Sequence, residues 1–154
     1  MTPSLSRDIN FGPNWTLSLH ADGQWASEPL LSIEQFGLGG VANVRGYREG
    51  EVFGDTGWRL NIEQKTPPYV VGIIYGKQAL SVRASAYMDY AETYLLDVPK
   101  GRDGRLPLWG AGFGAVASAG THWEGRLLFS WPLERTATTE PGMPRFNFAL
   151  TAQF

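Results

Sequence analysis

The sequence predicts an all-β chain of antiparallel, up-and-down strands, and three observations predict it. Hydrophobic residues recur with period two rather than 3.6 along most of the chain. The 19 glycines and 10 prolines of its 154 residues are spread along its length, which interrupts helices and suits short strands joined by turns. The longest apolar stretch, near 69–75, falls far short of the roughly 18 residues a membrane-spanning helix needs. The length fits one domain or part of one.

Taken in order, strands are expected at about 14–26, 56–65, 79–95, 105–118, 121–133 and 145–154. In the first, Trp15, Leu17, Leu19 and Ala21 alternate with Thr16, Ser18, His20 and Asp22. In the second, Trp58, Leu60 and Ile62 alternate with Arg59, Asn61 and Glu63. The third sets Val82, Ala84, Ala86, Met88 and Tyr90 against Ser81, Arg83, Ser85, Tyr87 and Asp89. The fourth is glycine-rich on one face, with Gly110, Gly112 and Gly114, and the fifth alternates from Trp123 to Trp131. The last places Phe146, Phe148, Leu150, Ala152 and Phe154 on one face.

The polar faces carry Arg, Glu, Asp and His and so meet water. Segments of about ten residues with one apolar and one polar face are the mark of an outer-membrane β-barrel, and the six Trp, six Tyr and eight Phe suit its interfacial girdles. The same alternation also fits a soluble sandwich with one wet face. Connection lengths favour the barrel, whose periplasmic turns are short and outer loops long. With the C-terminus inside, 133–144, 97–105 and 27–55 fall outside, and 118–121 and 66–78 inside; only 66–78 is long for an inner turn.

Net charge is −2 with no run of like charge, which marks no nucleic-acid binder. The absence of cysteine excludes a disulfide scaffold and a thiolate metal site but fixes no compartment. The opening MTPSLSRDIN lacks the basic start and apolar core of a signal peptide.

Residues 33–57 read IEQFGLGGVANVRGYREGEVFGDTG. With Val44-Arg45-Gly46-Tyr47 preceded by Gly39-Gly40 and followed by Gly54-Asp55, the stretch resembles the sixth extracellular loop of the two-partner secretion transporters (the haemolysin-activator, or TpsB, family) and of their BamA-like relatives. In that family the loop folds back into the barrel and its arginine meets an acidic residue on the inner wall. The matching strand carries aromatic-x-Asp-x-Gly; here it reads Tyr87-Met88-Asp89-Tyr90-Ala91, with Ala91 in place of glycine. LWGAGFGA from Leu108, RLLFSWPL from Arg126 and the alternating C-terminus ending in Phe154 resemble later segments of the family in the same order.

The resemblance implies the C-terminal part of a sixteen-stranded barrel, here about six strands, with the earlier strands and the periplasmic POTRA domains upstream of residue 1. It implies residence in the outer membrane of a Gram-negative cell and passage of an unfolded exoprotein. Lipid, lipopolysaccharide and the barrel-assembly machinery are the further partners, the last reading Phe146, Phe148, Leu150 and Phe154. Insertion of membrane proteins is the alternative within the superfamily, and a small ligand-binding barrel or sandwich the alternative outside it. An open sheet in lipid leaves edge groups unpaired at several kcal/mol each, so an isolated six-stranded piece is not expected in a bilayer.

Arg45 and Asp89 have a simple chemistry: a guanidinium taken out of water needs a fixed acceptor, and one carboxylate accepts two parallel N–H bonds from it. The pair serves either as a staple that holds the barrel or as a latch that positions the loop. Phe36–Gly40 lacks the Lys-Ser/Thr of a phosphate loop. His20 and His122 have no metal-ligand spacing. Glu49, Glu51 and Asp55 match no calcium loop and read as solvated acids. Glu63, Glu124 and Asp89 read as a charged wall with Arg59, Arg83 and Arg126 rather than a hydrolytic pair. No catalytic residue, cofactor, metal or nucleic-acid partner is predicted.

Overall fold

The alternating segments pair into one antiparallel sheet. The computed structural model describes residues 1–74, 78–98 and 104–153. Among them there is no helix, and the strands are β1 (Ser4–Phe11), β2 (Trp15–Gln24), β3 (Phe36–Leu38), β4 (Val52–Gly54), β5 (Thr56–Lys65), β6 (Tyr69–Ile74), β7 (Gln78–Tyr94), β8 (Arg105–Ala119), β9 (Trp123–Pro132) and β10 (Arg145–Ala152). The main sheet runs β1-β2-β5-β7-β8-β9-β10, with β6 also on β7, so the order in the sheet follows the order in the chain. β1 and β10 are the two ends of an unclosed sheet.

Four strands go beyond those expected from sequence: the short β3 and β4, which pair with each other apart from the main sheet, and β1 and β6 within it. β1 pairs β2 from Ser4↔Asp22 to Phe11↔Trp15 through the turn at Gly12 and Asn14, both at positive φ. Its alternation is masked because Arg7 shares a face with Leu5, Ile9 and Phe11. β6 continues β5 along the same edge of β7, from Tyr69↔Val82 to Ile74↔Gln78 with a bulge between Val70 and Gly72. Within the segment expected as an inner turn, Tyr69–Ile74 is therefore strand. Pro67-Pro68 lack N–H donors and interrupt the ladder, which hides the continuity.

The two faces differ as the alternation requires. One bears the apolar set, uncovered: Phe113 and Phe148 are each 62% exposed, and Trp58, Met88, Phe129, Phe146 and Leu150 are exposed beside them. Trp58, Tyr90 and Trp109 form a cluster on it with ring centroids 5.1 and 4.7 Å apart. The other face is polar, and residues 25–55 fold over it. A water-soluble sandwich does the reverse, burying its apolar faces. The core is small and lies between the covering segment and the sheet: Leu38, Val44, Tyr47, Ala91 and Leu108, with Phe36 and Val52 beside it.

Candidate functional site: a loop anchored to the polar face

The site begins with a short hairpin. β3 and β4 pair from Phe36↔Gly54 to Leu38↔Val52, and the tip between them, 39–51, reaches the sheet. Gly39 and Gly40, at φ 103° and 107°, turn the chain out of β3. Gly46 has φ 101°, and a Cβ there would lie 2.8 Å from Pro132 N and 2.9 Å from Trp131 C. Only glycine meets both demands. Across from it, a Cβ on Gly110 would overlap the Arg45 carbonyl, so the bare backbone of β8 lets the tip lie directly on the sheet.

Arg45 is 8% exposed and Asp89 is fully buried. Arg45 Nε donates to Asp89 Oδ2 and Nη2 to Oδ1, each at 2.7 Å, the parallel fork expected of guanidinium and carboxylate. The Arg45 backbone N–H adds a bond to Oδ2 at 3.0 Å, and Asn61 Nδ2 donates to Oδ1 at 2.9 Å. Asp89 thus accepts four hydrogen bonds and faces no water, the condition under which a buried carboxylate is tolerated. Arg45 Nη1 donates to Glu63 at 3.0 Å, and its guanidinium carbon stands 3.4 Å above the centre of the Tyr87 ring. Burial disfavours the Arg45 charge, but the hydrogen bonds and charges of Asp89 and Glu63 outweigh it and raise the pKa above its ordinary value. The guanidinium stays charged.

Strand register explains the convergence. Asn61 pairs with Asp89 and Glu63 with Tyr87 across β5 and β7, so their side chains share the loop-bearing face. Tyr87 is held from behind: its hydroxyl lies 3.0 Å from Phe129 O and 2.6 Å from Ser130 Oγ, over Gly112, where a Cβ would lie 2.5 Å away. Ala91 continues the regular ladder, and its methyl joins the core around Val44.

Further anchors lie toward the loop's base. Tyr47 donates its hydroxyl to Trp109 O at 2.8 Å and accepts from Glu134 N at 3.0 Å. Its pKa is raised, chiefly by burial. Asp55 accepts from the N–H groups of Leu96 at 2.8 Å and Leu30 at 2.9 Å and from Gln35 at 3.1 Å. Those two backbone donors lead in lowering its pKa. Glu51 accepts from Thr136 and Thr138 of the segment between β9 and β10. Burial pushes the Glu51 pKa up, but the Thr136 and Thr138 hydroxyls lead in outweighing it and leave the value lowered. Read from sequence as solvated acids, Glu51 and Asp55 are hydrogen-bonded ties instead.

The remaining sequence candidates lie apart. Phe146, Phe148 and Leu150 stand exposed on β10, and Phe154 lies outside the described residues. His20 contacts Asp22, which also takes Arg59, on the same polar face as Asp89. Among the described residues no group of His, Asp and Glu is arranged to hold a metal ion. Sequence reasoning placed Glu63 only as general wall charge and missed the roles of Asn61 and Tyr47 as anchors. The inward parity of Asn61 and Glu63 was visible, their register was not.

An antiparallel sheet with a bare apolar face and a loop pinned by an arginine to its polar face fits part of a β-barrel wall. The family model described as "Haemolysin secretion/activation protein ShlB/FhaC/HecB" matches residues 1–117, and the chain belongs to that family. That family is one of outer-membrane secretion and activation proteins, transporters rather than enzymes. No curated protein and no solved structure matches the chain.

Proposed function

We propose that this chain is the C-terminal barrel portion of a transporter that passes an unfolded exoprotein through the outer membrane in two-partner secretion. Arg45 and Asp89 are its latch: they set where the infolded loop sits and so when the interior is free. The observation that carries the reading is the forked Arg45–Asp89 pair, its carboxylate fully buried, tied to a second carboxylate at Glu63 and set on the face away from the apolar stripes. Such a pair stabilises one loop position strongly, since removing one partner leaves an uncompensated buried charge. Gly39, Gly40, Val44, Gly46, Tyr47, Gly54 and Asp55 shape and seat the loop, Tyr87 and Ala91 its receiving strand. Phe146, Phe148, Leu150 and Phe154 form the signal for the barrel-assembly machinery, and lipid and lipopolysaccharide surround the apolar face. Export then draws on folding of the substrate outside the cell.

Arg45→Ala in the intact protein tests this. Secretion is lost while the barrel still reaches the outer membrane and keeps heat-modifiable migration. Normal secretion contradicts the latch, and failure of the barrel to assemble shows a structural staple instead.

A further inference from the structure

The strongest unexplained feature is how the sheet holds the loop tip by its main chain. Two successive inward side chains of β5 hold main-chain carbonyls: Arg59 Nη1 donates to Ala42 O at 3.3 Å and Asn61 Nδ2 to Asn43 O at 2.6 Å, while the next, Glu63, accepts from the Arg45 side chain. From β7, Asp89 accepts the Arg45 backbone N–H at 3.0 Å. The floor is the Cβ-free strip of β8, where the Arg45 carbonyl lies against Gly110. Backbone carbonyls and an N–H are what this wall reads at 42, 43 and 45, and these atoms are common to every polypeptide.

We propose that this strip is a binding track for extended polypeptide main chain, self-occupied here by the loop tip; the proposal rests on the translocation reading above. Inward positions of β5 recur every two residues, about 6.7 Å apart. Carbonyls on one side of an extended chain recur at the same spacing, i and i+2. The loop reaches both Arg59 and Asn61 with adjacent residues only because it turns there. Its fit is imperfect: the buried Asn43 Oδ1 has no hydrogen-bond partner among the described residues. An extended chain with a smaller side chain at that place would not carry this cost. Beyond Arg45 the strip opens into a cavity of about 390 Å³ lined by Lys65, Ser81, Arg83, Ser85 and Ser118, polar groups along the same face. Loop and substrate therefore compete for one set of donors. Departure of the loop exposes the track, and the arriving chain replaces its bonds without regard to side-chain sequence.

The test uses the intact protein in planar lipid bilayers, with Arg45→Ala to release the loop and a long unfolded peptide of Gly, Ser and Ala as probe. The released form conducts more than wild type and shows peptide blockades. Adding Asn61→Leu shortens their dwell time about fivefold, the effect of losing one hydrogen bond. Arg59→Met, which leaves the Asp89 cluster untouched, shortens it in the same direction and guards against a folding artefact at position 61. A Gln-rich peptide dwells as long as the Gly/Ser/Ala one. Unchanged dwell in both β5 variants overturns the track while the latch stands. Unchanged conductance on Arg45→Ala overturns the latch reading and the track with it.

Discussion

Two of the loop's anchors work by contrasting means. At its tip, Arg45 is buried among Asp89, Glu63, Asn61 and Tyr87, with full charges out of water. Near its base, Glu51 meets the neutral hydroxyls of Thr136 and Thr138 at a half-exposed rim. Opening the rim exchanges hydroxyl-to-carboxylate hydrogen bonds for water at a half-exposed place, a net cost of about 1–2 kcal/mol per bond. Opening the tip separates buried opposite charges and costs several times more. The difference teaches that the rim yields first and the tip decides whether the loop leaves.

Breaking the tip gives the largest effect. Arg45→Ala leaves Asp89 buried and unpaired, and lowers the free energy of loop opening by about 3–5 kcal/mol, read by amide hydrogen exchange over residues 39–51. Arg45→Lys keeps the charge but loses the fork, and falls between wild type and alanine. Asn61→Leu removes a donor to both Asp89 and Asn43 O and lowers the same quantity by about 1–3 kcal/mol. Glu51→Gln at the rim lowers it by about 0.5–1 kcal/mol. A change at the rim as large as at the tip would erase the distinction.

A pH titration sharpens the comparison, because Asp55 titrates and Arg45 does not. The folded pKa of Asp55 lies below its ordinary 3.8, so its stabilisation is complete above that value and is lost as pH falls through the lowered one. Exchange at the Leu30 and Leu96 amides accelerates below about pH 4. In Asp55→Asn that acceleration is absent.

The sheet was legible wherever alternation ran unbroken, from Trp15 through β2 and from Phe146 through β10. It was not legible at β1, where Arg7 occupies an apolar-face position, nor across Pro67-Pro68, where missing donors imitate a turn. The glycines of β8 were visible as a pattern, but their reason lies in the Arg45 carbonyl over Gly110 and the Tyr87 hydroxyl over Gly112. Arg45 and Asp89 stood out through motif resemblance and inward parity. Asn61 and Glu63 join them only through the register of β5 against β7, which no local pattern carries. The Glu51 partners lie 85 and 87 residues away, beyond any local signal.

The most direct test of the central claim is a double-mutant cycle on exoprotein secretion by the intact protein, with Arg45→Ala, Asp89→Ala and both together, at matched outer-membrane levels. A shared latch predicts that each single change abolishes most secretion and that the double variant is no worse than either. Independent losses that add in the double variant would contradict it.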